Sequence, residues 1–119
     1  MADMKLGVVE MQFAEIVWAN EPLSSGTLVT LCAGQLGWKK STTYTVLKKL
    51  CTRGILRNEG SIVTSLVSRA EYEAAQSAQF VKEHFSGSLP AFLAAFTKQK
   101  ALSQDEIDEI RAMIDKIGG

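Results

Sequence analysis

Apolar positions recur at helical spacing through most of this chain and change to strand spacing in one place. In "VVEMQFAEIVWAN", Val9, Phe13, Ile16 and Val17 fall at i, i+4, i+7 and i+8, the stripe of an amphipathic helix that Asn20, Glu21 and Pro22 end. Ser24 is placed to cap a second helix and Leu23 to pack on Leu28. Leu28, Leu31 and Cys32 form its buried side, and Gly34 and Gly37 close it. A third helix begins near Ser41, with Thr43, Val46, Leu47 and Leu50 facing inward and Gly54 ending it. The period then changes. "ILRNEGSIVTSLV" is rich in β-branched residues and is broken at Asn58-Glu59-Gly60, which predicts a hairpin with strands at about Ile55–Arg57 and Ile62–Leu66.

Helical spacing then returns. Ser68-Arg69-Ala70-Glu71 and Ser103-Gln104-Asp105-Glu106 each read as a capping box, with Val67/Tyr72 and Leu102/Ile107 as the flanking staples. Ala74, Ala78, Val81 and Phe85 follow the first box. Gly87, Ser88 and Pro90 precede a shorter helix marked by Leu89, Phe92, Leu93 and Phe96. Ile107, Ile110, Ile114 and Ile117 repeat along the last helix. The fold class predicted is mainly α, an α+β winged helix-turn-helix with a β-hairpin wing, followed by a helical dimerisation region. The boundary is expected near Ser68, giving a DNA-binding domain over 1–67 and a dimerisation region over 68–119.

With 119 residues, 46% hydrophobic and 22% charged, the chain has the composition of one ordinary globular domain, or of one small domain with a helical appendage. It contains no apolar run of about 18 residues, so no membrane insertion is expected. "MADMKLGVVEM" lacks the charged start and long apolar stretch of a secretory signal. Cys32 and Cys51 are too few for a disulfide framework and have no metal-ligand spacing. A cytoplasmic protein without metal or cofactor is the expectation.

Charge changes the picture more than composition does. The formal net charge is zero, yet Lys39, Lys40, Lys48, Lys49, Arg53 and Arg57 crowd one window without a carboxylate between Glu21 and Glu59. The stretch after Ala101 is acidic in compensation. Association with a polyanion follows the local field rather than the total charge. The third helix of a winged helix-turn-helix lies in the major groove of DNA. Lys39 and Lys40 would meet phosphates at its N-terminus, Ser41, Thr42 and Thr43 would offer hydroxyls and methyls, and Thr45 lies on the face left free for DNA. Tyr44 would stack or donate, and Lys48, Lys49 and Arg57 would add positive charge. Two other readings use the same features. The basic face suits an acidic protein, as in a winged-helix adaptor, and Cys32 with Cys51 suits a redox- or ligand-sensing regulator, although buried core thiols are the plainer reading of that pair.

Phe80, Phe85, Phe92 and Phe96, with Ile107, Ile110, Ile114 and Ile117, read as a dimer core rather than a ligand pocket. No catalytic set exists: His84 is the sole histidine, and there is no phosphate-binding glycine loop. The protein is not expected to be an enzyme.

Three segments also carry a resemblance. "STTYTVLKKLCTRGIL", "EMQFAEIVWAN" and "SLVSRAEYEA" are similar, in order, to the recognition helix, first helix and wing-to-dimerisation passage of the BlaI/MecI family of penicillinase and methicillin-resistance repressors, with Glu10 and Trp18 at recurring positions. The resemblance implies a homodimeric winged-helix repressor on a palindromic operator, released when a sensor metalloprotease leads to cleavage in the dimerisation region. The matching bond is Ala95–Phe96, where the family usually has Asn before Phe. The wing "NEGSIVTS" departs from the family pattern in lacking basic and tyrosine residues.

Overall fold

A computed structural model describes residues 5–118; the first four residues of the segment read as lacking an export signal lie outside it. Six helices and three short strands follow in the order α1 (Val8–Asn20), β1 (Leu23–Ser24), α2 (Ser25–Leu36), α3 (Lys40–Thr52), β2 (Leu56–Glu59), β3 (Ile62–Ser65), α4 (Arg69–Phe85), α5 (Leu89–Gln99) and α6 (Gln104–Gly118). Each predicted helix is present. By its contacts the chain divides after Gln76, so α4 begins in the first unit and ends in the second.

In the first unit, Phe13, Val17, Leu28, Leu47, Leu50, Ile55, Leu56 and Val63 join one buried core together with Tyr72 from α4. The inward face of α1 differs from the expected stripe. Ala14 is fully buried, whereas Val9 is exposed, because the face that meets α2 and β3 is centred on Phe13, Ala14 and Val17. Ser24 caps α2 by accepting from the Thr27 amide at 3.0 Å. Leu23 and Ser24 also pair with Val63 and Ile62, a strand the hydrophobic pattern does not announce. The sheet is antiparallel in the order β1-β3-β2.

The wing turns at Gly60 (φ 57°) and Ser61 (φ 64°), two consecutive left-handed residues as a two-residue hairpin requires. Strand pairing therefore continues through Asn58 and Glu59, opposite Val63 and Ile62, and the turn begins two residues later than expected. Ile55 precedes the strand and belongs to the end of α3. Its amide donates to Leu50 carbonyl and that of Gly54 (φ 78°) to Cys51 carbonyl, while Leu50 and Ile55 are both fully buried. This pair of bonds and the apolar contact beneath it are the Schellman stop of a helix.

Both capping boxes form. The Ser68 hydroxyl accepts from the Glu71 amide and Glu71 accepts from the Ser68 amide, each at 3.0 Å, and Ser103 with Glu106 repeats the exchange. In the second unit, Ser88 caps α5 and four phenylalanines gather: Phe85 and Phe92 meet edge to face at 5.5 Å, with Phe80 and Phe96 each about 6 Å from Phe92. Ile107 and Ile110 are half-buried, while Ile114 and Ile117 are 57% and 82% exposed. No helix among the described residues is long and apolar enough to cross a membrane.

Candidate nucleic-acid interface

The third helix is the element to build from. Thr43, Leu47 and Leu50 are buried, with Val46 and Cys51 half-buried beside them. At 3.6 residues per turn this places Ser41, Thr45, Lys48 and Thr52, spaced four, three and four apart, along the opposite face, where all four are exposed. Thr42 and Lys49 flank that stripe on one side and Tyr44 on the other. Thr52 is absent from the sequence-derived set although the same spacing would have found it.

Thr43 is a correction. It is 1% exposed, and its hydroxyl faces the Lys39 carbonyl at 3.4 Å, so it packs in the core and offers nothing to a groove. Thr45 donates its hydroxyl to the Ser41 carbonyl at 2.9 Å. Tyr44 is partly exposed and its hydroxyl bonds Ser25 Oγ at 3.3 Å, which ties the start of α2, with Gly26 and Thr27 exposed, to the side of α3. Between α3 and β2, Tyr44, Leu47, Lys48, Cys51 and Asn58 line a recess of about 380 Å³.

The basic window divides once it is folded. Lys49 Nζ lies 2.8 Å from Glu10 Oε2, and Arg53 bonds Glu10 Oε1 at 3.3 Å and the Lys5 carbonyl at 2.9 Å. Arg57 is paired with Glu59 along the same strand. Among the described residues no carboxylate lies within ion-pair distance of Lys39, Lys40 or Lys48. These three, at the N-terminus and on the outward face of α3, keep their charge uncompensated, whereas Lys49, Arg53 and Arg57 share theirs with Glu10 and Glu59. Glu10 is the residue that sequence reasoning missed as an electrostatic partner. Its carboxyl is held below the ordinary glutamate range by the Lys49 ammonium first and by the Gly7 amide next.

Burial pushes both thiols up, and a bond from the Asn58 amide only partly offsets this at Cys51. Both cysteines are free. Protonated thiols in such surroundings behave as core groups rather than as nucleophiles. His84 lies over Phe80 at 4.6 Å, inside the aromatic group of the second unit. Trp38 stacks on Phe13 at 5.6 Å and so takes a packing role.

A family model described as penicillinase repressor matches residues 6–116. The chain belongs to the penicillinase repressor family. Its relatives there include the methicillin resistance regulatory protein MecI of Staphylococcus aureus (strain Mu50 / ATCC 700699), 24% identical over 116 residues and 94% of each chain. MecI of Mammaliicoccus sciuri is 23% identical over the same share. An uncharacterized 16.5 kDa protein in the ptsI 3' region of Latilactobacillus sakei is 29% identical over 109 residues, 88% of this chain and 75% of that one. Among solved structures, the monomeric form of Bacillus licheniformis BlaI in complex with the blaP half-operator superposes with a TM-score of 0.50 at 18% identity, covering 57% of this chain and 88% of that one. BlaI thus shares the winged helix-turn-helix fold of the part of this chain that superposes.

Proposed function

We propose that this member of the penicillinase repressor family is a DNA-binding transcriptional repressor that reads its operator with the outward face of α3. The observation that carries the reading is the exposed stripe Ser41-Thr45-Lys48-Thr52, flanked by Thr42 and preceded by Lys39 and Lys40, with all three lysines free of carboxylates among the described residues. Such a surface meets phosphates with its cations and base edges with its short side chains. The family membership and the half-operator complex of BlaI support it. The wing contributes little net charge, since Glu59 pairs with Arg57.

The repressor acts as a homodimer on a palindromic operator. Ile114 and Ile117, with Met113 beside them, give α6 an uncovered apolar end, and the partly exposed Phe80 and Phe96 extend the apolar surface of the second unit. Release follows cleavage at Ala95–Phe96 by a sensor-controlled metalloprotease, which would sever α6 from the DNA-binding unit. That bond lies inside α5, so the helix has to unwind before a protease can hold it extended.

Footprinting on a self-selected operator tests the reading. Two protected half-sites about one helical turn apart, or a multiple of it, and a steep decline of log K with log salt are expected. Absence of duplex binding at low salt would favour an acidic protein partner for the same face. Mass spectrometry of the protein from induced cells tests cleavage, and an intact chain after induction would remove it.

A further inference from the structure

We propose that Thr45 reads the 5-methyl group of a thymine in the major groove; the inference rests on the DNA-binding reading above and adds to it the base that α3 selects. Threonine in a helix has two rotamers open to it, because its hydroxyl can bond a carbonyl one turn back. Thr45 uses that option, with Oγ1 donating to the Ser41 carbonyl at 2.9 Å. The hydroxyl is thereby turned against its own helix and its proton is committed. The tetrahedral Cβ leaves the methyl carbon Cγ2 as the group directed away from that carbonyl. Thr45 is exposed, lies near the middle of α3, and sits on the outward stripe. It is polar by composition and apolar at its tip.

Its neighbours are less well placed for this role. Ser41 has no methyl, and Thr42 is exposed but flanks the stripe and has, among the described residues, no bond to a carbonyl one turn back that turns its hydroxyl inward. Thr43 makes a similar bond but is buried, and Thr52 stands at the last position of the helix. Lys48, one turn on from Thr45, supplies an ammonium for a phosphate or a purine acceptor, so the stripe has a polar reader without Thr45. In the major groove a methyl group at C5 marks thymine among the four bases, and apolar contact is how it is recognised.

The experiment lets the full-length protein select duplexes from a random library. Each thymine of the enriched site is then replaced in turn by deoxyuridine, and binding is measured for wild type, Thr45→Ser and Thr45→Val. One thymine per half-site is expected at which uracil weakens wild type and Thr45→Val by about fourfold, the size of one methyl group's burial. The same replacement is expected to leave Thr45→Ser unchanged. If Thr45→Ser instead keeps the uracil penalty while Thr45→Val loses binding, the hydroxyl makes the contact and the proposal is overturned. The absence of any uracil-sensitive thymine that Thr45→Ser silences overturns it too. A library from which no duplex is enriched would bring down the DNA-binding reading, and this one with it. Unchanged melting of both variants shows that the comparison concerns contact rather than folding.

Discussion

Glu10 on the first helix holds Lys49 on the third at 2.8 Å, although the two are far apart in sequence. The same carboxylate takes the Arg53 guanidinium at 3.3 Å and the Gly7 amide at 3.0 Å. One side chain thus caps α1, fastens α1 to α3 and withdraws two cations from the basic window. Lys49 is 61% exposed and its attraction is largely screened, whereas Arg53 is 24% exposed. We expect Glu10→Gln to cost about 1 kcal/mol, chiefly through Arg53 and the cap. The folded carboxyl titrates below its unfolded value of about 4.3, so this stability is fully present above that pH and is lost as pH falls through the lowered folded value. Chemical denaturation should therefore separate the two proteins at neutral pH and bring them together in acid. A constant difference across that range would remove the electrostatic account.

Lys48 and Lys49 are adjacent in sequence and should behave differently. Lys48 faces outward without an ion-pair partner among the described residues, while Lys49 is engaged by Glu10. Lys48→Ala should weaken binding across duplex sequences, lower the salt slope by about one unit per half-site, and leave the melting temperature in place. Lys49→Ala should have the smaller effect on that slope. Fluorescence titration at several salt concentrations decides between them, and equal slopes would mean the Glu10 pair opens on binding.

Tyr72 is the point at which α4 is rooted in the core. It is 6% exposed and its hydroxyl accepts from the Leu6 amide at 2.9 Å. Tyr72→Phe keeps the ring and strands a buried N–H, at a cost of about 1–2 kcal/mol. A urea titration measures this, and wild-type stability would mean that water replaces the hydroxyl. A chain cut after Gln76 retains Tyr72 and is the truncation expected to remain folded.

Ile114 and Ile117 test the dimer. Both project from the last two turns of α6 and are largely exposed, so aspartate there should spare the fold of one chain. Sedimentation of Ile114→Asp/Ile117→Asp should show monomers at concentrations where wild type is dimeric, with operator affinity falling in parallel. A dimer that survives both changes would place its contact elsewhere.

Much of this was legible in the sequence, because helix caps and stops are local. Ser24, Ser68, Ser103 and Gly54 carry their signals within five residues, and each helix begins or ends where they indicate. β1 was not legible: two residues have no periodicity, and Leu23-Ser24 is a strand only because Val63 and Ile62 lie beside it. Ala14 was missed because a small side chain adds little to an apolar stripe, although it is fully buried in the core. The basic window was read correctly as sequence and incompletely as charge. Glu10 lies outside it along the chain and against it in space, and Glu59 borders it and folds back on Arg57.

The indole of Trp18 has a consequence for how this molecule can be watched. Its Nε1 donates to the Val67 carbonyl at 3.0 Å, Tyr72 lies 5.7 Å away, and the Arg69 guanidinium sits 5.4 Å above its ring. All three partners belong to the passage from the wing into α4. Light emitted by Trp18 therefore senses the base of that helix, while Trp38, stacked on Phe13, senses the packing of the α2–α3 turn on α1. Nature has installed two unlabelled optical probes, and replacing either by phenylalanine lets the other be recorded alone.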